Sequence, residues 1–227
     1  MKLIQPNCRI QFTASDVDFI LRTLGKHIWD KECIIKLLAD EDTRDLILDD
    51  ECLLHGLLEH RGCLEVSSHL YFYILVRNVL KRAGLNDRVV ADYVAEVLAE
   101  FSISARSECV LPDQKTPLNY LFEMLIALQT ADERTAFSLR LHVGNYSLFL
   151  AGLFPERIKH RNERRGFPNL RYYEQMGMTQ FRIAGQHRLA HKHNLEGVLN
   201  TLGERFKTAR EALNQLADRL VFLGDHS

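Results

Sequence analysis

Proline is what this chain most conspicuously lacks. None occurs between Pro6 and Pro112, and only Pro117, Pro155 and Pro168 follow. Proline removes a backbone donor and clashes with the preceding turn, so a long proline-free span leaves helices free to run. Apolar residues recur three and four apart within that span, as in VDFILRTLGKH and RVVADYVAEVLAEF. That period belongs to helices with one buried face. No convincing run of alternating residues competes with it. The expectation is an all-α fold, a single domain of about nine to eleven helices in layered packing.

Local signals divide the chain. Ser15 followed by Asp18 resembles a capping box, and Gly25 sits near the expected end of the helix that follows. Two short helices fit the apolar groups between the acids at 40–58. Ser67 and Ser68 can cap HLYFYILVRNVLKRAG, a central buried helix that Gly84 can close. Asp87 can cap the next helix. Residues 102–117, with Pro112 and Pro117, form the one credible break in the first half. LNYLFEMLIALQ, ADERTAFSLRLHVGNYSLFLAGLF and NLRYYEQMGMTQFRIAGQHRLAHKH read as three further helices. A last one is broken near Gly203. Residues 1–66 form an N-terminal helical segment with an acidic patch and 67–227 the main helical part, together one continuous domain.

Composition narrows the class. The chain is 46% hydrophobic and 26% charged with net charge -1, which excludes a disordered chain and any bulk attraction to polyanions. Cys8, Cys33, Cys52, Cys63 and Cys109 are odd in number with no CxxC spacing, so neither a disulfide framework nor a zinc knuckle is indicated. The first residues contain no long apolar region, and no window of about 18 uncharged apolar residues occurs. The expected setting is cytoplasmic, with no membrane partner.

Charge is nonetheless sorted along the chain. Asp40, Glu41, Asp42, Asp45, Asp49, Asp50 and Glu51 crowd one stretch, whereas residues 155–210 hold twelve Lys and Arg against five Asp and Glu. A basic segment can grip phosphate or nucleic acid, or it can match the acidic patch within the molecule. The acidic patch itself reads as a solvated face, with an oxygen-rich cation site as the alternative.

The stretch GNYSLFLAGLFPER, Gly144 to Arg157, is the least ordinary part. It is too short to span a bilayer. Pro155 suits the first turn of a new helix and forces Phe154 out of the helical region. A sharp corner at Phe154–Pro155 and an exposed basic helix or loop after it are expected. Gly152 should mark a close helix crossing, with the helix carrying Gly177 and Gly185 as partner. The set LRLHVGNYSLFLAGLFPERI, a basic connector, then YYEQMGMTQFRIAGQHRLA resembles a family of bacterial helical proteins with no established function. Those proteins share a glycine–polar pair before LFLxGLFP, followed by YYxxMGxxxYRxxA. The similarity spans roughly residues 67–222, with Phe181 standing where the family has tyrosine. It implies a single all-α domain and no reaction.

Three sets of residues could carry function. Arg182 and His187 read R-x4-H, which resembles the ribonuclease motif of the HEPN superfamily, all-α dimeric proteins. There the histidine would take the proton of the 2'-hydroxyl and the arginine would steady the phosphate. Ile183 stands where that family has a polar residue. Arg77, His142 and Asn145 each lie in an apolar helix, so each needs a partner. They either crosslink helices or form the polar floor of a pocket near residues 142–154. His187 and His191 are four apart and would share a helix face, but no third metal ligand is visible. No metal or cofactor is expected. The leading expectation is a binding or regulatory module that meets a protein partner or a second copy of itself, with nucleic acid a possible partner of 155–210. The alternatives are a metal-independent ribonuclease using Arg182 and His187, and a small-ligand binder with a pocket near 142–154.

Overall fold

The structure is a computed structural model and describes residues 3–25, 36, 38–59, 66–108 and 117–224. Among these there is no strand. A 3-10 turn, Cys8–Gln11, precedes α1 (Ala14–Gly25), α2 (Glu41–Leu48), α3 (Glu51–Glu59), α4 (Ser68–Arg82) and α5 (Arg88–Glu108). Then come α6 (Pro117–Ala127), α7 (Glu133–Leu153), α8 (Pro155–Arg165), α9 (Leu170–Gly185), α10 (Arg188–Lys192) and α11 (Glu196–Gly224). Of the break anticipated at 102–117, residues 102–108 instead continue α5, and 109–116 lie outside the described residues.

Most helix starts follow from a side chain satisfying an otherwise unpaired N–H. Ser67 accepts from Leu70 N at 3.2 Å, Asp132 from Thr135 N at 2.9 Å and Asn169 from Tyr172 N at 3.1 Å. Asp87 accepts from Val89 N and Val90 N at 2.8 and 3.1 Å. The first box is displaced from the expected one. Thr13, not Ser15, caps α1, and Asp16, not Asp18, reaches back to Thr13 N at 2.7 Å. The reason is tertiary: Asp16 is fully buried and also accepts from Ser67 N at 2.7 Å, tying α1 to the start of α4.

The core is built from α4, α5, α7, α9 and α11. Helix α7 packs most extensively on α9, α9 on α11, and α4 on α5 and α11. Tyr73, Tyr93, Phe181 and Phe206 are the largest side chains sealed inside it. Glycine permits the closest crossings. A Cβ on Gly152 would sit 2.8 Å from Leu213 of α11. The close crossing at Gly152 is therefore present, but its partner is α11 and not the helix of Gly177 and Gly185. That helix, α9, meets α7 at Gly144, where a Cβ would fall 2.8 Å from the ring of Phe181. Gly177 in turn faces Phe206 of α11.

Two features set the shape around the anticipated site. Phe154 leaves the helical region (φ -130, ψ 44), its N–H still bonded to Leu150 O at 2.9 Å, and Pro155 opens α8. The expected corner is there, and α8 after it is a largely exposed basic helix. It closes at Gly166, whose φ of 64 suits a residue without a Cβ. The long helix expected over 169–193 is broken. Gln186 caps α9, and His187 starts α10 by accepting from Leu189 N at 3.1 Å through Nδ1. His187 and His191 thus do not share one helix face.

Candidate functional site

The acidic stretch folds into α2 and the start of α3, and its carboxylates meet arginines from distant parts of the chain. Arg77, only 3% exposed, donates from Nε to Asp49 Oδ1 at 2.7 Å, from Nη2 to Asp49 Oδ2 at 2.9 Å and to Asn86 Oδ1 at 2.6 Å. Burial pushes the Asp49 carboxyl up, but the hydrogen bonds and charge of Arg77 outweigh it and hold it below the usual range. Lys81 and Arg88 stand 3.5 and 3.4 Å from the same carboxylate. Arg9 bonds Asp45 and stacks over the ring of Tyr73, while its backbone N–H donates to Asp92 Oδ1 at 2.9 Å. Burial pushes the Asp92 carboxyl up against the opposing pull of Arg9. Asp45 and Asp49 of the acidic patch are matched inside the molecule by Arg9, Arg77 and Arg88 and, among the described residues, not by the basic segment 155–210.

The other sequence candidates lie apart from one another. Asn145, buried in α7, accepts from Tyr93 OH at 3.0 Å and so joins α7 to α5. His142, half-buried one turn before it, rests against Phe101 and Tyr146. Burial pushes its imidazole down to about 4. Arg182 donates from Nε to Gly203 O at 3.0 Å, bracing the bend of α11 at Arg205. His187 stacks on Phe137, and its Nε2 lies 3.4 Å from Glu133, which also takes both nitrogens of Arg188 at 2.8 and 2.7 Å. Arg182 and His187 are thus engaged separately, on either side of the α9–α10 break. Among the described residues no three His, Cys, Asp or Glu side chains stand together as a metal site. No helix among them is long and apolar enough to cross a membrane.

What the structure assembles instead is the outside of the Phe154–Pro155 corner. Within 155–210, Arg188 pairs with Glu133 and Arg210 with Glu174 and Glu211. The exposed Arg157, Lys159 and Arg164 of α8 and Arg171 of α9 make no ion pair among the described residues. Beside them a shallow cleft runs between α8 and the start of α9. Leu150, Ile158 and Tyr173 form its apolar floor, Phe154, Phe167 and Pro168 its ends, and Arg157 and Arg161 its rim. Its enclosed volume is ≈ 20 Å³, room for about one water molecule. Asn162 Nδ2 holds Phe167 O, which fixes the far end.

Arg157, Arg161, Phe167 and Tyr173 were not singled out by sequence reasoning. A signal exists: a Phe–Pro pair stands at each end of the basic helix, LFPER before it and GFPNL after it, and Arg157 and Arg161 are one turn apart. Elsewhere, Phe122 and Ile126 of α6 are 61% and 50% exposed one turn apart, with nothing among the described residues to say what covers them. No protein-family model, no curated protein and no solved structure matches this chain. The family resemblance therefore rests on its motif residues alone.

Proposed function

We propose that the chain is a binding module whose partner is a nucleic acid, held at its phosphates by α8. The observation that carries this reading is the sorting of charge. Asp45 and Asp49 are tied to arginines of the same half of the chain, whereas Arg157, Lys159 and Arg164 of α8 are exposed and make no ion pair among the described residues. Cations left in water cost little by themselves, and together they form the electrostatic footprint that phosphates recognise. A membrane surface is the weaker match. Helices that lie on membranes place exposed apolar side chains beside their cations, and Ile158, the one apolar side chain of α8 besides Pro155, is buried.

Fluorescence anisotropy with a labelled oligonucleotide of about 12 nucleotides tests this. Affinity should fall as salt rises from about 50 to about 200 mM, with a log–log slope of roughly -2 to -3.5 for three or four phosphate contacts. Reversing Arg157 and Arg164 to Glu together should lower affinity at least about tenfold. Binding that ignores salt, an unchanged double variant, or retention on anionic vesicles without nucleic-acid binding would each sink the reading.

A further inference from the structure

We infer, on the footing of that reading, that the cleft beside α8 receives the face of an unpaired nucleobase, so that the partner is single-stranded, with Phe154 as the stacking platform. The cleft combines an aromatic surface with cations on one rim. Phe154 is a large apolar side chain left 36% exposed at the cleft mouth. It is not loose. Its ring is braced from behind by Phe149, edge to face at 5.4 Å, and its backbone is held by the turn into Pro155. A fixed, partly exposed ring presents aromatic surface at little entropic cost.

The dimensions choose among occupants. A space of ≈ 20 Å³ cannot enclose an acyl chain or a whole aromatic ring, so a ligand must lie across the cleft and not in it. A flat ring laid against Phe154 satisfies that. Arg157 and Arg161 rise about 6 Å apart along one face of α8, the reach of one extended nucleotide step. A base resting on Phe154 thus brings its flanking phosphates to the rim. Aromatic platforms beside a basic track are how sequence-tolerant single-strand binders work, since every base has a π-face. A duplex keeps its base faces stacked inside. It can meet the arginines but has nothing to lay on Phe154.

The test compares oligothymidylate of about 12 nucleotides with a blunt duplex of equal length, at one salt concentration, on the full chain. Wild type should hold the single strand about tenfold or more tighter than the duplex. Phe154→Ala should lose about tenfold in single-strand affinity, whereas Phe122→Ala, on α6, should lose none. Phe154→Trp supplies a direct readout in a chain with one native tryptophan: its added fluorescence should be quenched by the single strand and not by the duplex. Thermal melts of each variant separate lost stacking from lost folding. If single strand and duplex bind equally, and Phe154→Trp is not quenched, the base-stacking inference falls while phosphate binding stands. If neither nucleic acid binds, both fall.

Discussion

The α2–α3 region and the α8 corner are the two most charged parts of the molecule, and they treat charge in opposite ways. Asp45 and Asp49 are turned inward onto Arg9, Arg77 and Arg88, with Arg77 Nε 2.7 Å from Asp49 Oδ1 and Arg77 nearly sealed from solvent. Arg157, Lys159 and Arg164 of α8 are exposed to water. In the first region charge is structural, since a desolvated ion is tolerable only with a partner. In the second it contributes little to folding and is available to something else. Density of charge along the chain therefore does not reveal its role. Burial does.

The contrast can be broken most forcefully at Arg77. Arg77→Ala leaves Asp49 without its two charge-assisted bonds and should cost about 3–5 kcal/mol in chemical denaturation. A loss below about 1 kcal/mol would erase the distinction from surface pairs. The seat of the corner comes next. Gly152→Leu drives a side chain into Leu213, whose Cδ1 and Cβ lie 2.8 and 2.9 Å from the position a Cβ would take. It should cost about 1–3 kcal/mol through overpacking. A denaturation midpoint equal to or above wild type, with unchanged slope, would show that the α7–α11 crossing has room to spare.

His142 probes burial by pH. The folded imidazole stays neutral down to about 4, whereas the unfolded chain takes up its proton near the ordinary histidine value of 6.5. Because the unfolded state binds more protons between those values, stability from the neutral ring is complete above pH 6.5 and is lost as pH falls toward 4. The loss should be about 3 kcal/mol by pH 4, and His142→Phe should flatten that part of the stability profile. A wild-type profile that parallels the variant's across this window contradicts the assigned burial. Smallest of all should be the effect of Arg157→Ala and Arg164→Ala on folding, within about 0.5 kcal/mol. A destabilisation as large as that of Arg77→Ala would mean that α8 is stapled down and not displayed.

Much of the fold was legible because its signals are local. Ser67, Asp87, Asp132 and Asn169 each cap a helix by reaching an N–H two or three residues on. Gly84, with φ of 77, closes α4, and Pro155 turns the chain at Phe154 by sterics alone. The misreadings share a cause. The helical pattern of 169–193 continues without a sequence break, yet His187 stops it by capping Leu189 while held by Phe137 and Glu133 of α7. Thr13 prevails over Ser15 because Asp16 has a second acceptor role at Ser67 of α4. At the candidate site the basic helix was evident, but the cleft was not, since Leu150, Arg157 and Tyr173 meet only after the chain turns twice.

The amino-acid sequence by itself determined that the chain is helical, where most helices begin, and where α7 gives way to α8. Capping bonds, helical period and proline sterics act over about one turn, so a reader of the sequence can see both partners at once. Only the tertiary structure decided which charges cancel and which remain. Asp49 finds Arg77 28 residues away and Arg9 finds Asp45 36 residues away. Gly152 takes Leu213 as its neighbour over Gly177 or Gly185 of α9. Such pairings depend on how helix faces settle against one another, and many residues together set that geometry.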